Sequence, residues 1–328
     1  MLNCEDLFHK IHNSNEEELL ELVHKTSGFG AAEIGEILNF LATKSQAIDT
    51  KMQVFDCCGT GGDSANTFNI STTAAIIAAS NGARICKNGG RSTSSKTGSV
   101  DVLEALGLEL GIEQEKKLQG LEAYKLGFFS SPVSAELLAP IKQICRKHKE
   151  TCFLSLIGPL SSPVILDSQV IGVGKKEWLN IMIDLSKSYI ETEKRKKIFL
   201  VQSKAFESDQ LLDELSTASD SVIIEISKSG LREFSFNPVD FSFESSLMQD
   251  LESAEDHHGN AEIINSILKN KSTNAKTQSA CLNAGLISCL KNKAFELDDL
   301  ITETNKCLDL IKSGQSLENF KSLKSIYK

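Results

Sequence analysis

The run Asp56-Cys57-Cys58-Gly59-Thr60-Gly61-Gly62-Asp63 has the composition of an anion-binding loop. Its three glycines within four residues let the backbone turn tightly and bring N–H groups against a ligand. No Lys-Ser/Thr pair follows the glycines, so the loop is not a Walker A motif, and the G-x-G-x-x-G dinucleotide spacing is absent. The next stretch, Asn66-Thr67-Phe68-Asn69-Ile70-Ser71-Thr72-Thr73, crowds hydroxyls and amides around the start of an apolar segment. Ser71 or Thr72 is placed to cap a helix there. Capping needs one such side chain, and the surplus points to several donors converging on one anion. A third stretch runs from Lys87 to Ser99 and holds Lys87, Arg91 and Lys96 among glycines and hydroxyls, with no carboxylate. A plain surface loop in an acidic chain would mix signs, so this one reads as a second phosphate cradle carrying the charge the first lacks.

These loops need elements to hold them. Residues 1 to about 50 read as helices, with apolar residues at helical spacing, ending in a polar linker over 44–51. Residues 52–55 read as a strand, 71–81 as a buried helix and 83–86 as a second strand. Ser99 opens a further helix over 100–106. Strand, glycine loop, helix, strand is the rhythm of an α/β unit, and it sets the loop at a helix N-terminus with free N–H groups. Residues 170–173, 198–201 and 222–226 continue as strands, with a helix over 177–189. After Pro238 the pattern returns to helices over 260–268, 277–290 and 297–313.

The 328 residues suggest two domains. Hydrophobic residues at 41% supply a core and exclude whole-chain disorder. Lys+Arg at 35 against Asp+Glu at 44 leaves a net charge of −9, which argues against a nucleic-acid partner. The basic run Lys194-Arg195-Lys196-Lys197 reads as a solvated end. No apolar run approaches the roughly 18–20 residues of a membrane span. The acidic start has no leader character, and a cytoplasmic location is expected. The nine cysteines lack zinc-ligand spacing and read as reduced, small apolar residues. Cys57 and Cys58, beside the glycine loop, are not read as nucleophiles. Trp178 reads as core, and His257-His258 as part of a polar loop over 253–259.

Taken together, the motifs resemble a known family. Gly59-Thr60-Gly61-Gly62-Asp63, Asn69-Ile70-Ser71-Thr72, and Lys87-x-Gly89-x-Arg91-Ser92 with Ser94-Ser95-Lys96-x-Gly98-Ser99 are similar to anthranilate phosphoribosyltransferases, a class sharing its fold with pyrimidine nucleoside phosphorylases. The similarity continues through Gly158-Pro159-Leu160, Gln169-x-x-Gly172-Val173, Asp213-Glu214, Pro238-x-Asp240-Phe241 and Asn260-Ala261. It implies an α/β fold with a small N-terminal helical domain hinged to a larger α/β domain with a central sheet. Residues 1–50, joined by helices from about 134–157, would form the small domain, and 51–328 the larger one. It implies transfer of phosphoribose from 5-phosphoribosyl 1-diphosphate (PRPP) to the amine of anthranilate, with release of pyrophosphate, as a step of tryptophan biosynthesis. Gly59, Gly62, Asp63, Thr67, Asn69, Ser71, Thr72, Lys87, Arg91, Ser95 and Ser99 would line the PRPP site. Ser71, Asp213 and Glu214 would hold magnesium, a hard cation suited to oxygen ligands. No residue is assigned as a general base, because an aromatic amine is already nucleophilic.

The acceptor side departs from the resemblance. Asn88 and Gly90 stand where the family has histidine and asparagine. Counting back from Gly158-Pro159-Leu160, Ala135 takes the place of a histidine that faces the acceptor. Thr151 replaces the arginine that grips the anthranilate carboxylate, and Ser155 replaces an asparagine. The acceptor set is therefore Gly59, Gly90, Ala135 and Thr151, with Arg146 and Lys149 as cations that could compensate. The helical region before Asp56 is also short, which leaves the family's homodimer open. Transfer to another aromatic or heterocyclic acceptor, a nucleoside-phosphorylase-like reaction and a non-catalytic ligand-binding role stay open as alternatives.

Overall fold

The computed structural model describes residues 2–89, 98–130 and 132–328. Three helices open the chain: α1 (Cys4–Asn13), α2 (Glu16–Thr26) and α3 (Ala31–Lys44). Each buries a stripe at helical spacing, such as Ile34, Ile37, Leu38 and Leu41 on α3. At the start of α2, Asn15 accepts from the Glu18 N–H at 3.0 Å and Glu18 accepts from the Asn15 N–H at 2.9 Å, a reciprocal cap.

Strands and helices then alternate: β1 (Phe55–Gly59), α4 (Ile70–Ser80), β2 (Ile85–Asn88), α5 (Ser99–Ala105), α6 (Gln114–Tyr124) and β3 (Leu126–Phe129). Helices α7 (Pro132–His148) and α8 (Leu154–Leu160) lead to β4 (Ser168–Gly172), α9 (Lys176–Glu191), β5 (Lys197–Ala205), β6 (Leu211–Leu212), β7 (Ser219–Ser227) and β8 (Gly230–Phe236). Four helices close the chain: α10 (His257–Leu268), α11 (Asn274–Cys289), α12 (Leu297–Lys312) and α13 (Gln315–Ile326).

The sheet runs in the order β3-β2-β1-β4-β5-β7-β8. From β3 to β5 neighbours are parallel, and β7 and β8 are added antiparallel. The fold is thus mixed α/β. Side chains alternate between two cores, as a pleated strand dictates. On β5, Phe199 and Val201 face a core that includes Ile76, Ile77, Leu282 and Leu286 of α4 and α11. Ile198 and Leu200 face the other core, built with α1–α3 and α7–α9. The two-residue β6 pairs with Ser203 and Lys204, past Val201, the point where β4 ends opposite β5 at Gly172. The chain leaving β6 is therefore set over the carboxyl ends of β1 and β4, where Gly59 and Gly172 are register partners. Ligands of open α/β sheets gather at such strand ends.

Three expectations change. The first strand lies at Phe55–Gly59 rather than over 52–55, so the segment read as loop is largely strand. A buried strand tolerates Asp56 because its carboxylate accepts from the Cys57 and Asn88 N–H groups. His257 and His258 open α10 rather than sitting in a loop, since Asp256 caps that helix through the Gly259 N–H. The basic run is not a solvated end. As β5 begins, Arg195 and Lys197 turn inward while Lys194 and Lys196 stay exposed. Lys197 Nζ lies 3.1 Å from Glu225 of β7 and donates to the Asn292 carbonyl at 2.7 Å. Truncating one member of a buried ion pair leaves the other uncompensated. Glu225→Ala is accordingly expected to lower stability by about 3–5 kcal/mol in urea unfolding. A loss under about 1 kcal/mol would place the pair with ordinary surface bridges.

Candidate active site

The glycine loop leaves the end of β1 and reaches α4 through a series of backbone fixings. The Thr60 N–H donates to the Gly172 carbonyl at 2.9 Å, and Thr60 Oγ1 accepts from the Gly174 N–H at 2.9 Å. Gly61 and Gly62 then adopt φ of 64° and 78°, the left-handed region that glycine enters without penalty. Asp63 closes an Asx turn by accepting from the Ala65 N–H at 3.2 Å. Thr67 bridges to Glu252, and the Phe68 N–H donates to the Leu251 carbonyl, so the loop is pinned on its far side as well.

Helix α4 starts at Ile70 with Asn69 as its N-cap residue, and the Asn69 side chain makes no capping bond. Ser71 and Thr72 lie inside the helix, so the capping alternative read from sequence does not hold. The Asn69 Oδ1 atom is buried with no hydrogen-bond partner among the described residues. A buried acceptor without a donor is costly, and here it sits at the helix mouth beside the loop.

Opposite this mouth stand the acids delivered by β6. Asp213 accepts from the Gly61 N–H at 2.8 Å, and its own N–H donates to Asp63 at 3.4 Å. Glu214 accepts from the Ser71 N–H. Asn283 of α11 braces the next residue, accepting from the Leu215 N–H at 3.1 Å and donating to its carbonyl at 2.7 Å. One carboxylate oxygen each of Asp63, Asp213 and Glu214 lies within 4.8 Å of the others. Burial, and then the charge of Asp213, pushes the Asp63 carboxyl up to about 7. Glu214 is held well above the usual carboxylate range by burial, then by Asp213 and Asp63. Hard oxygen donors crowded until they resist ionising fit a hard divalent cation. Asp213 and Glu214, with Ser71, Gly59, Cys57 and Cys58, line a cleft.

The absence of side chains is what admits the acids. A Cβ on Gly59 would lie 2.0 Å from Asp213 Oδ2, and one on Gly172 would lie 1.7 Å from the Asp213 carbonyl oxygen.

Beneath the loop, Lys87 is buried and donates to the Cys57 carbonyl at 2.5 Å, bracing β2 against β1. Burial works against its ammonium, but the surrounding thiols, Asp56 and Glu214 raise it above the ordinary lysine range. Asp56 goes the other way: burial outweighs the attraction of Lys87 and lifts its carboxyl to about 6. With a folded value above the unfolded one, the native state binds more protons between those limits. Asp56 therefore contributes a loss of stability as pH rises from about 4 to about 6, and Asp56→Asn is expected to flatten that slope in denaturation midpoints. An unchanged slope would show that Asp56 does not titrate there. The Cys57 and Cys58 thiols are pushed up to about 12 by burial, in keeping with non-nucleophilic cysteines.

Among the other residues anticipated, Thr72 is buried in α4 and Ser99 is the first residue of α5, packed so that a Cβ on Gly89 would meet its Oγ at 2.4 Å. Gly90, Arg91 and Ser95 lie outside the described residues. Ala135 is exposed near the start of α7 and does not line the cleft. Thr151, between α7 and α8, accepts from Lys175 Nζ at 2.8 Å, a cation that the sequence reading did not name beside Arg146 and Lys149. Sequence reasoning also missed Asp63 as a partner of Asp213 and Glu214, Asn283 as their brace, and Trp178 as the lid of the loop. Trp178 is buried as expected, yet its ring lies 3.0 Å from where a Gly62 Cβ would stand. The one available signal was position: Lys175 and Trp178 follow directly on the end of β4.

The fold and site define a glycosyl-transferring class, and the glycosyl transferase family, a/b domain, matches residues 51–317. The chain is 32% identical to the anthranilate phosphoribosyltransferase of Bacillus pumilus over 92% of its length and 85% of that protein. It is 35% identical to the enzyme of the same name from Francisella philomiragia over 80% of its length and 74% of that protein. In fold it is similar to anthranilate phosphoribosyltransferase from Thermus thermophilus, with a TM-score of 0.80 at 22% identity over 98% of this chain and 94% of that one. The Saccharomyces cerevisiae enzyme in complex with PRPP and Mg matches with a TM-score of 0.79, again at 22% identity, over 98% and 90%. This chain belongs to the anthranilate phosphoribosyltransferase family. It is a transferase, and among its described residues no helix is long and apolar enough to cross a membrane.

Proposed function

We propose that the protein transfers the phosphoribosyl group of PRPP to the amine of anthranilate, releases pyrophosphate, and works with magnesium in the cytoplasm. The observation that carries this reading is the convergence of Asp63, Asp213 and Glu214 on a glycine loop at the N-terminus of α4. The names of the relatives support anthranilate as acceptor of a phosphoribosyl group, and the yeast complex with PRPP and Mg supports the donor and the metal.

Asp63, Asp213 and Glu214 would hold magnesium, which when bound neutralises charge on the departing diphosphate. The chain's own residues do the rest by placement. Thr60 and Gly61 fix the loop against β4 and Asp213, so the acids meet a donor in a prepared arrangement. Asn69 Oδ1, without a partner among the described residues, is an acceptor for a ribose hydroxyl. Displacement at the anomeric carbon develops oxocarbenium-like charge, and an aromatic amine needs alignment more than deprotonation. Helices α1–α3 with α7 and α8 form the lobe that would close over the acceptor.

Calorimetric titration of PRPP with magnesium, followed by addition of anthranilate while pyrophosphate is assayed, tests this. Binding followed by release is expected. Absence of PRPP binding would overturn the reading, and binding without release would overturn the choice of acceptor.

A further inference from the structure

Anthranilate carries a carboxylate beside its reacting amine, and a carboxylate drawn out of water needs charged or hydrogen-bonding partners. Beneath the cleft Lys87 is buried and committed to the Cys57 carbonyl. Lys175 is differently placed. It is half-buried at the N-cap position of α9, immediately past the end of β4. Its stem borders the glycine loop, with Cε 3.5 Å from where a Cβ on Gly62 would stand. Its ammonium lies 4.8 Å over the Trp178 ring, which holds the stem without neutralising the charge. Among the described residues it forms no ion pair. Thr151 Oγ1 takes one of its N–H donors at 2.8 Å, and that hydroxyl keeps its own proton to donate. The pair thus presents an ammonium and a hydroxyl side by side at the edge of the loop. A planar carboxylate can accept from both at once.

We propose that Lys175, oriented by Thr151 and Trp178, is the residue that recognises the carboxylate of the aromatic acceptor. The inference rests on the reading of the site as a phosphoribosyl transfer site, and it identifies the acceptor's selectivity with one lysine. Arginine in place of Lys175 would retain the charge, and an aromatic amine without a carboxylate would gain nothing from it.

The test is calorimetric binding of anthranilate to the PRPP-loaded, magnesium-loaded protein, for wild type, Lys175→Ala, Lys175→Arg and Thr151→Val. Loss of a charge-assisted contact predicts roughly ten- to hundredfold weaker anthranilate binding for Lys175→Ala. PRPP affinity should stay within about twofold, and Lys175→Arg should retain most of the wild-type affinity. Thr151→Val should lose less than Lys175→Ala, because the ammonium stays. Aniline, which lacks the carboxylate, should bind wild type and Lys175→Ala alike. Equal anthranilate binding by wild type and Lys175→Ala, including no binding by either, would overturn the proposal. Failure of the functional reading shows separately, as absence of PRPP binding by the wild type, and failure of the choice of acceptor as binding of both ligands without pyrophosphate release.

Discussion

Asp213→Asn is expected to lower magnesium-dependent kcat/KM by at least about 10³-fold, some 4 kcal/mol of transition-state stabilisation. Asp213 touches the site in three ways: its carboxylate accepts from the Gly61 N–H, its backbone N–H reaches Asp63, and it joins Glu214 in the acid cluster. Asparagine keeps the size and can still accept from Gly61, so the fold should survive. What it removes is charge. Weaker cation binding should accompany the rate loss and is measurable by titration with magnesium alone. Retention of kcat/KM within about tenfold would show that the cluster does not carry the metal.

The second large effect is steric and separates fold from function. In Gly172→Ala the new methyl group would stand 1.7 Å from the Asp213 carbonyl oxygen and 2.6 Å from its carbonyl carbon. Backbone cannot swing aside as a side chain can, so the loop after β6 must leave the strand ends. Overpacking of this kind costs typically about 1–3 kcal/mol and occasionally more, and a direct backbone collision belongs at the upper end. In Gly59→Ala the clash is with the Asp213 carboxylate, at 2.0 Å to Oδ2. That group can rotate away, at the expense of its bond to Gly61 and its place in the cluster. Gly172→Ala should therefore lose both thermal stability and activity, and Gly59→Ala chiefly activity. Equal unfolding midpoints for the two variants would contradict the distinction.

Much of this arrangement was legible in the residue order. The glycine loop and the buried helix after it are as their residue types suggested, and the acids at 213 and 214, which only the resemblance singled out, stand beside them. Elements whose signal lies in tertiary context were harder to read. β3 has four residues, too few to show a period, and β8 exposes most of its positions as the edge strand of the sheet. The inward turn of Arg195 and Lys197 depends on Gln169 and Glu225, which sequence does not place beside them. Lys175 was passed over for the same reason. Arg146 and Lys149 are nearer to Thr151 along the chain, whereas the sheet brings β4's terminus to it.

Asp63 and Asp213 stand 150 positions apart in the chain, and only the assembled sheet brings them together. An unfolded chain offers no equivalent site, so a cation held there binds the native state alone. By mass action, such a ligand at a hundred times its Kd stabilises the native state by about 2.7 kcal/mol. A cation held by the acid cluster would thus couple the integrity of the whole sheet to the free concentration of a divalent ion. The unfolding temperature of the protein would then be a gauge of that ion, independent of whether any substrate is present.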